Sequence, residues 1–305
     1  MKTMELGTSG IRASVIGLGC MRIASLSEQA VSDYIHGALE CGVNFFDHAD
    51  IYGGGKSEEL FGSALKQEPS LRDKLILQSK CALHDGMYDF SKEHILKSVD
   101  GILQRLHTDH LDILLLHRPD PLMEPEEVGE AFQRLEESGK VRQFGVSNFN
   151  SRQIALLQSG LKQKLQANQM QFSLMCTGMI DHGVQTNTNF PNAADHDGEV
   201  LEYCRLNNIT LQAWSPFQYG FFEGTFIDND KFPELNKAMA EVGEKVGVSK
   251  TAVAAAWILR HPAKIQVITG TTSLKHLQDV AAAADVSLSR EDWYALYRAA
   301  GNELP

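Results

Sequence analysis

Short apolar or β-branched runs alternate with amphipathic stretches along almost the whole chain. The runs are Val15–Gly19, Val43–Phe46, Leu75–Ser79, Leu111–Leu116, Gln143–Val146, Gln166–Met170, Ile209–Ala213 and Ile265–Ile268. Most are continuous rather than alternating in polarity, as expected of strands buried on both faces. Between them the pattern predicts helices over Ser27–Cys41, Ser57–Lys66, Lys92–Leu106, Pro125–Ser138, Ser151–Gln158, Glu199–Asn207 and Pro233–Val246, with Leu274–Ala284 after the last run. Ser27, Ser57 and Ser91, each with glutamate close behind, mark helix starts, and Gly42 and Gly139 mark stops. Eight strands, each leading to a helix, predict an α/β (β/α)8 TIM barrel, although a doubly wound sheet alternates in a similar way. "MELGTSGIRAS" (4–14) predicts an N-terminal β-hairpin that plugs one end of the barrel, and extra helices are expected near the C-terminus at Ser249–Arg260 and Ser289–Gly301. No break in composition divides the chain, so residues 1–305 are expected to form one domain.

One stretch breaks the regularity. Residues 173–198, "SLMCTGMIDHGVQTNTNFPNAADHDG", are polar and lack periodicity. A structureless loop of that length is either an active-site cover or a disordered surface insertion.

Composition narrows the class. The formal net charge of −11 lacks the basic footprint of a nucleic-acid binder. No apolar run is long enough to span a bilayer as a helix, and the N-terminus has no apolar signal region, so a cytoplasmic protein is expected. Cys20, Cys41, Cys81, Cys176 and Cys204 are scattered, with no CxxC and no zinc spacing, which argues for reduced thiols and no metal.

The chemistry lies where the runs end. In a barrel, reacting groups collect at the C-terminal ends of the strands. The second run exits into Asp47 and Tyr52, the third into Lys80, the fourth into His117, the fifth into Ser147 and Asn148, the sixth into Gln169, and the seventh into Trp214 and Ser215. A lone Asp or His at a strand end is usually a loop hydrogen-bonder; four titratable types on three successive strands are less easily coincidental. A Lys ammonium beside a Tyr phenol favours the phenolate and lowers its pKa towards neutrality, a carboxylate can hold the ammonium, and a His can orient a carbonyl oxygen. That set donates a proton to an oxygen gaining negative charge. No side chain supplies a hydride, so a nicotinamide is implied. After Tyr52, Gly53-Gly54-Gly55 predicts a sharp turn with little bulk near the substrate, while His48 is expected to pack behind the strand end and Asp50 to hydrogen-bond in the loop.

In order and spacing, "GVNFFDHADIYG" (42–53), "LQSK" (77–80), "DILLLHRPD" (112–120), "GKVRQFGVSNF" (139–149), "NQMQFS" (168–173), "WSPF" (214–217) and "VITGTTSLKHL" (267–277) resemble the aldo-keto reductases, and the resemblance runs over essentially the whole length. "LLHRPDPLMEPEEV" and "YRAAGNELP" are similar to a bacterial branch of oxidoreductases in that family. The resemblance implies a (β/α)8 barrel that binds NADP(H) without a Rossmann unit, and no GxGxxG occurs. It implies Tyr52 as general acid, Lys80 as the group that tunes it, Asp47 as the partner of Lys80, and His117 as the group that positions the carbonyl. Ser147, Asn148 and Gln169 would hold the carboxamide, and Trp214 would stack on the nicotinamide in place of the commoner Tyr. Ser215, Phe217 and Gln218 would line the pyrophosphate path. Residues 268–276, with Thr269, Gly270, Thr271, Thr272, Ser273, Lys275 and His276, would carry the adenosine phosphate site. There the family's usual Lys and Arg are replaced by Gly270 and His276, and its Asn by Val280. NADPH is therefore expected to be preferred by a reduced margin.

Met21, Phe90, Phe149, Phe217, Tyr219 and Phe222 are candidates for an apolar substrate pocket. The expected partner is a small carbonyl compound, with no nucleic acid or membrane, in a monomer or small homo-oligomer. Two other classes compete. A metal-dependent barrel hydrolase would want an HxH or several His/Asp ligands on different strands; the chain has no HxH, and Lys80 at the third strand end lacks metal-ligand partners. A slow nucleotide-sensing module of the same fold would keep the same residues.

Overall fold

The computed structural model describes residues 1–84 and 86–305. Eight parallel strands close into a barrel: β1 (Ile16–Gly19), β2 (Phe45–Asp47), β3 (Ile76–Cys81), β4 (Leu111–Leu116), β5 (Val141–Ser147), β6 (Leu165–Gln171), β7 (Thr210–Trp214) and β8 (Gln266–Thr269). Neighbours in sequence are neighbours in the sheet, and β8 closes on β1 through Val267 opposite Ile16 and Thr269 opposite Leu18. The expected (β/α)8 architecture is therefore the observed one. β4 explains why the runs are continuous: all six of its residues are buried, because its inner face meets the barrel interior and its outer face meets helices.

The helices that follow the strands are α1 (Glu28–Glu40), α2 (Lys56–Gln67), α3 (Lys92–Leu106), α4 (Pro125–Glu137), α5 (Ser151–Ser159), α6 (Gly178–Val184), α7 (Val200–Leu206), α8 (Pro233–Val246), α9 (Lys250–Leu259), α10 (Leu274–Ala281) and α11 (Arg290–Ala299). Their bounds are set by local chemistry. Ser27 and Ser91 accept hydrogen bonds from the backbone N–H of Ala30 and His94, which caps α1 and α3. Asn150 and Gln153 form a reciprocal capping box at α5. Ser57, expected to open α2, instead lies inside it; Gly55, with φ of +91°, supplies the start.

The hairpin closes the end of the barrel away from the strand exits. Thr3–Glu5 pairs antiparallel with Arg12–Ser14. Leu6 and Ala13 are fully buried with Phe45, Ile113, Leu115, Ala167 and Ile268 in a core cluster inside the barrel. The turn is pinned to strand starts: Gly7 N–H donates to Thr210 Oγ1 (2.8 Å) and Thr8 N–H to Gln166 Oε1 (2.8 Å).

Residues 173–198 are not the structureless loop that the sequence predicts. The segment contains α6 and a short 3-10 turn at Pro191–Ala193. Asp181 on α6 accepts hydrogen bonds from Thr177 Oγ1 (2.9 Å) and from Tyr297 Oη on α11 (2.7 Å), and Gln185 Nε2 donates to the Glu303 carbonyl (3.3 Å). None of these residues lines the cleft described below. Its polar residues bind the C-terminal segment, a long-range partner that periodicity does not register.

Candidate active site

A cleft of about 750 Å³ opens at the C-terminal ends of the strands. Its inner wall carries Asp47, Tyr52 and His117, with Ser147, Asn148, Gln169 and Trp214 beside them. Lys80 lies just behind, fully buried. Its ammonium donates to both oxygens of Asp47 (2.8 and 2.8 Å), to the His48 carbonyl (2.8 Å) and to Tyr52 Oη (3.1 Å). β2 and β3 deliver Asp47 and Lys80 side by side, because Asp47 pairs with Gln78 across the sheet. Tyr52 is brought back over them by a turn in which Gly53, Gly54 and Gly55 all have positive φ, a run that side chains resist. Of the three, Gly53 lines the cleft, while Gly55 packs against Arg105.

The hydroxyl of Tyr52 accepts from Lys80 and, among the described residues, donates to none. Its proton is free to face the cleft. Burial raises the Tyr52 pKa; the Lys80 ammonium lowers it but does not prevail, since Asp47 neutralises much of that charge. The expected fall towards neutrality is thus corrected: the phenol stays protonated, which is the form that donates. For Lys80 itself burial acts downwards, and Asp47 and Tyr52 overcome it, leaving a firmly charged ammonium. His117 stands edge-on to Tyr52 with ring centroids 6.0 Å apart. Burial, reinforced by the charges of Lys80 and Arg118, holds its pKa well below the ordinary value, so the imidazole is neutral. It offers one N–H and one lone pair, and neither ring nitrogen is engaged among the described residues.

The flanking wall suits a carboxamide and an aromatic ring. Ser147 Oγ donates to the Gln169 carbonyl (2.9 Å) and accepts from Asn148 Nδ2 (2.8 Å), and Asn148 Oδ1 accepts from Trp214 Nε1 (3.1 Å). Asn148 holds a left-handed backbone with φ of +62° to aim that side chain. Gln169 spends its amide N–H on Gln212 (3.1 Å) and leaves its Oε1 for the cleft. These groups fit a nicotinamide: an open acceptor on Gln169 and an indole face stand together. Trp214 also carries Phe222 stacked at 5.7 Å, a contact from the loop after β7.

Ser215, Phe217 and Gln218 line the cleft, as do Thr269, Gly270, Thr271 and His276. Thr272, Ser273 and Lys275 do not: Thr272 and Lys275 are exposed, and Ser273 Oγ caps α10 by accepting from His276 N–H (3.4 Å). The pocket candidates divide similarly. Met21, Phe217 and Phe222 line the cleft, whereas Tyr219 does not, and Phe90 and Phe149 stack on one another at 6.1 Å as buried core. His48 packs behind the strand end, edge-on to Phe61 at 4.6 Å, and burial lowers its pKa to about 3.

Two features were missed in the sequence. Arg22 and Arg118 line the cleft, and Arg118 stood unremarked inside the quoted "HRPD". The second is a buried ladder of glutamines across the barrel. Gln78 Nε2 donates to Asp47 Oδ1 (2.6 Å) and to Gln212 Oε1 (2.9 Å). Gln212 donates to Gln78 (3.1 Å) and Gln266 (3.0 Å), and Gln266 to the Ser14 carbonyl (2.9 Å). The available signal was a polar residue inside each of three apolar runs.

The aldo/keto reductase family model matches residues 15–300. A 6-dehydroglucose reductase of Agrobacterium fabrum is 37% identical over 96% of this chain and 97% of its own. The oxidoreductase YdhF of Escherichia coli is 35% identical, covering 92% of this chain and 91% of its own. Among solved structures, an aldo/keto reductase from Klebsiella pneumoniae in complex with NADP and acetate superposes with a TM-score of 0.77 at 25% identity, covering 97% of this chain and 94% of that one.

Proposed function

This chain belongs to the aldo/keto reductase family as an NAD(P)H-dependent enzyme of carbonyl reduction, and from that premise we propose that it reduces an aldehyde or ketone to the alcohol with NADPH as the preferred donor. The observation that carries the reading is the Tyr52 hydroxyl, held by Lys80 at 3.1 Å with its own proton unclaimed among the described residues. Trp214 and the Ser147–Asn148–Gln169 wall would hold a nicotinamide, which would supply the hydride that reduces the carbonyl carbon. As charge develops on the carbonyl oxygen, Tyr52 donates its proton to it, and the adjacent ammonium stabilises the phenolate left behind. Asp47 keeps that ammonium in place. Neutral His117 donates a hydrogen bond that orients the carbonyl. The relative named for reducing 6-dehydroglucose supports keeping sugar-like carbonyls among the substrates.

A slow nucleotide-sensing module would retain the same constellation, so turnover is the test. Purified protein with NADPH should reduce members of a panel of small aldehydes, ketones and aldoses. Tight NADPH binding with no turnover on any of them would favour the sensor.

A further inference from the structure

Of the charged groups that line the cleft among the described residues, the two carboxylates have lysine partners: Asp47 with Lys80, and Asp228 with Lys250. Arg118 has none. Among the described residues it makes no hydrogen bond or ion pair, only an approach of its guanidinium carbon to within 6.0 Å of the Trp214 ring centroid. It is partly buried in the same cleft as Tyr52 and His117 and follows directly on His117 at the exit of β4. Burial lowers its pKa, and the groups opposing that are the phenols of Tyr88 and Tyr52 rather than any carboxylate. Arg22, on the same cleft, is exposed and solvated. A partly desolvated guanidinium with no counter-ion is costly unless a ligand supplies one, and its planar fork matches a carboxylate with two parallel N–H···O bonds. In a chain with 39 acidic against 28 basic residues, an acid could readily have been placed beside it.

We propose that Arg118 receives a carboxylate carried by the substrate, so that this enzyme selects oxo acids over neutral carbonyl compounds. The inference rests on the reductase reading above and adds the substrate class. With the carboxylate on Arg118 and the carbonyl at Tyr52 and His117, the substrate is held at two points, which fixes its reacting carbon.

The test compares kcat/KM, with NADPH, for 4-carboxybenzaldehyde against its neutral methyl ester, and for succinic semialdehyde against butanal. Each carboxylate is expected to exceed its neutral counterpart by about 10- to 100-fold, the range for a hydrogen bond to a charged group. Arg118→Met should bring that ratio towards one, and Arg118→Lys, which keeps the charge without the fork, should leave it intermediate. Equal rates for charged and neutral members of both pairs would overturn the inference while the reductase reading stands. A ratio unmoved in Arg118→Met, with KM for NADPH raised instead, would assign Arg118 to the cofactor and overturn it as well. Absence of turnover on every aldehyde would remove both readings together.

Discussion

A phenol that donates a proton need not be easily ionised; it must be protonated when the carbonyl arrives. Tyr52 meets that condition because burial raises its pKa, while Lys80 waits at 3.1 Å to stabilise the anion once the proton has left. Tyr52→Phe removes the donor and touches none of the proposed cofactor contacts. Carbonyl reduction is expected to fall at least about 10²-fold, with NADPH affinity, followed by quenching of tryptophan fluorescence, near wild type. Retained turnover would remove Tyr52 as the acid. The pH dependence follows from the same shift. Reduction uses the protonated phenol, so it should persist through neutral pH and decline only as pH rises towards a pKa above the ordinary value of about 10. Alcohol oxidation uses the phenolate and should rise with pH over the same window. Lys80→Met takes away the one lowering influence next to the hydroxyl, so the oxidation limb should move to higher pH as the rate drops. A limb that stays in place would show that Lys80 does not tune the tyrosine.

Between the strands, the glutamine ladder does what an apolar barrel filling cannot. It ties Asp47 on β2 to Gln78 on β3, Gln212 on β7, Gln266 on β8 and the backbone of Ser14 at the hairpin's end, all without solvent. Each amide in the ladder satisfies its neighbour, so removal of one leaves its partners unpaired in a dry interior. Gln78→Leu is expected to lower unfolding free energy in urea by about 1–3 kcal/mol, the cost of unsatisfied buried groups. An unchanged urea midpoint would mean that the interior repacks or hydrates at no cost. The ladder also explains why these runs carry glutamine where the neighbouring strand β4 carries Ile113 and Leu115: the polar side chains face one another across the barrel, and the leucine-rich strand faces the hairpin plug.

Over the whole molecule, the strand-8 end of the cleft is where the proposed preference between the two cofactors would be set. The Thr271 carbonyl is held by Tyr34 Oη, and His276 reaches the cleft from the first turn of α10. Lys275, expected from the sequence to add its charge there, is exposed and off the lining. A helix N-terminus and hydroxyl groups can still hold a phosphate, but with less charge than an arginine brings. NADPH should therefore be preferred by a modest margin in kcat/KM with one aldehyde. His276→Ala should reduce the NADPH-to-NADH ratio more than Lys275→Ala does. Equal or better kcat/KM with NADH in the wild type would sink the preference.

The barrel and the candidate catalytic residues were legible in the chain because both are local signals. Strand and helix periods are set by neighbours a few residues apart, and in this topology every strand exit points to one face, so Asp47, Tyr52, Lys80 and His117 could be gathered without coordinates. What tertiary structure alone decided depends on partners distant in sequence. Burial, not proximity to Lys80, sets the direction of the Tyr52 shift, because desolvation sums over every surrounding atom whereas the neutralised Lys80–Asp47 pair acts as a weak net charge. Residues 173–198 fold because Tyr297 and Glu303 reach them from more than a hundred residues away. Phe90 and Phe149 belong to the core, and Arg118 stands in the cleft without a counter-ion among the described residues, because side-chain direction and the lack of such a partner are properties of the closed barrel and have no period in the sequence.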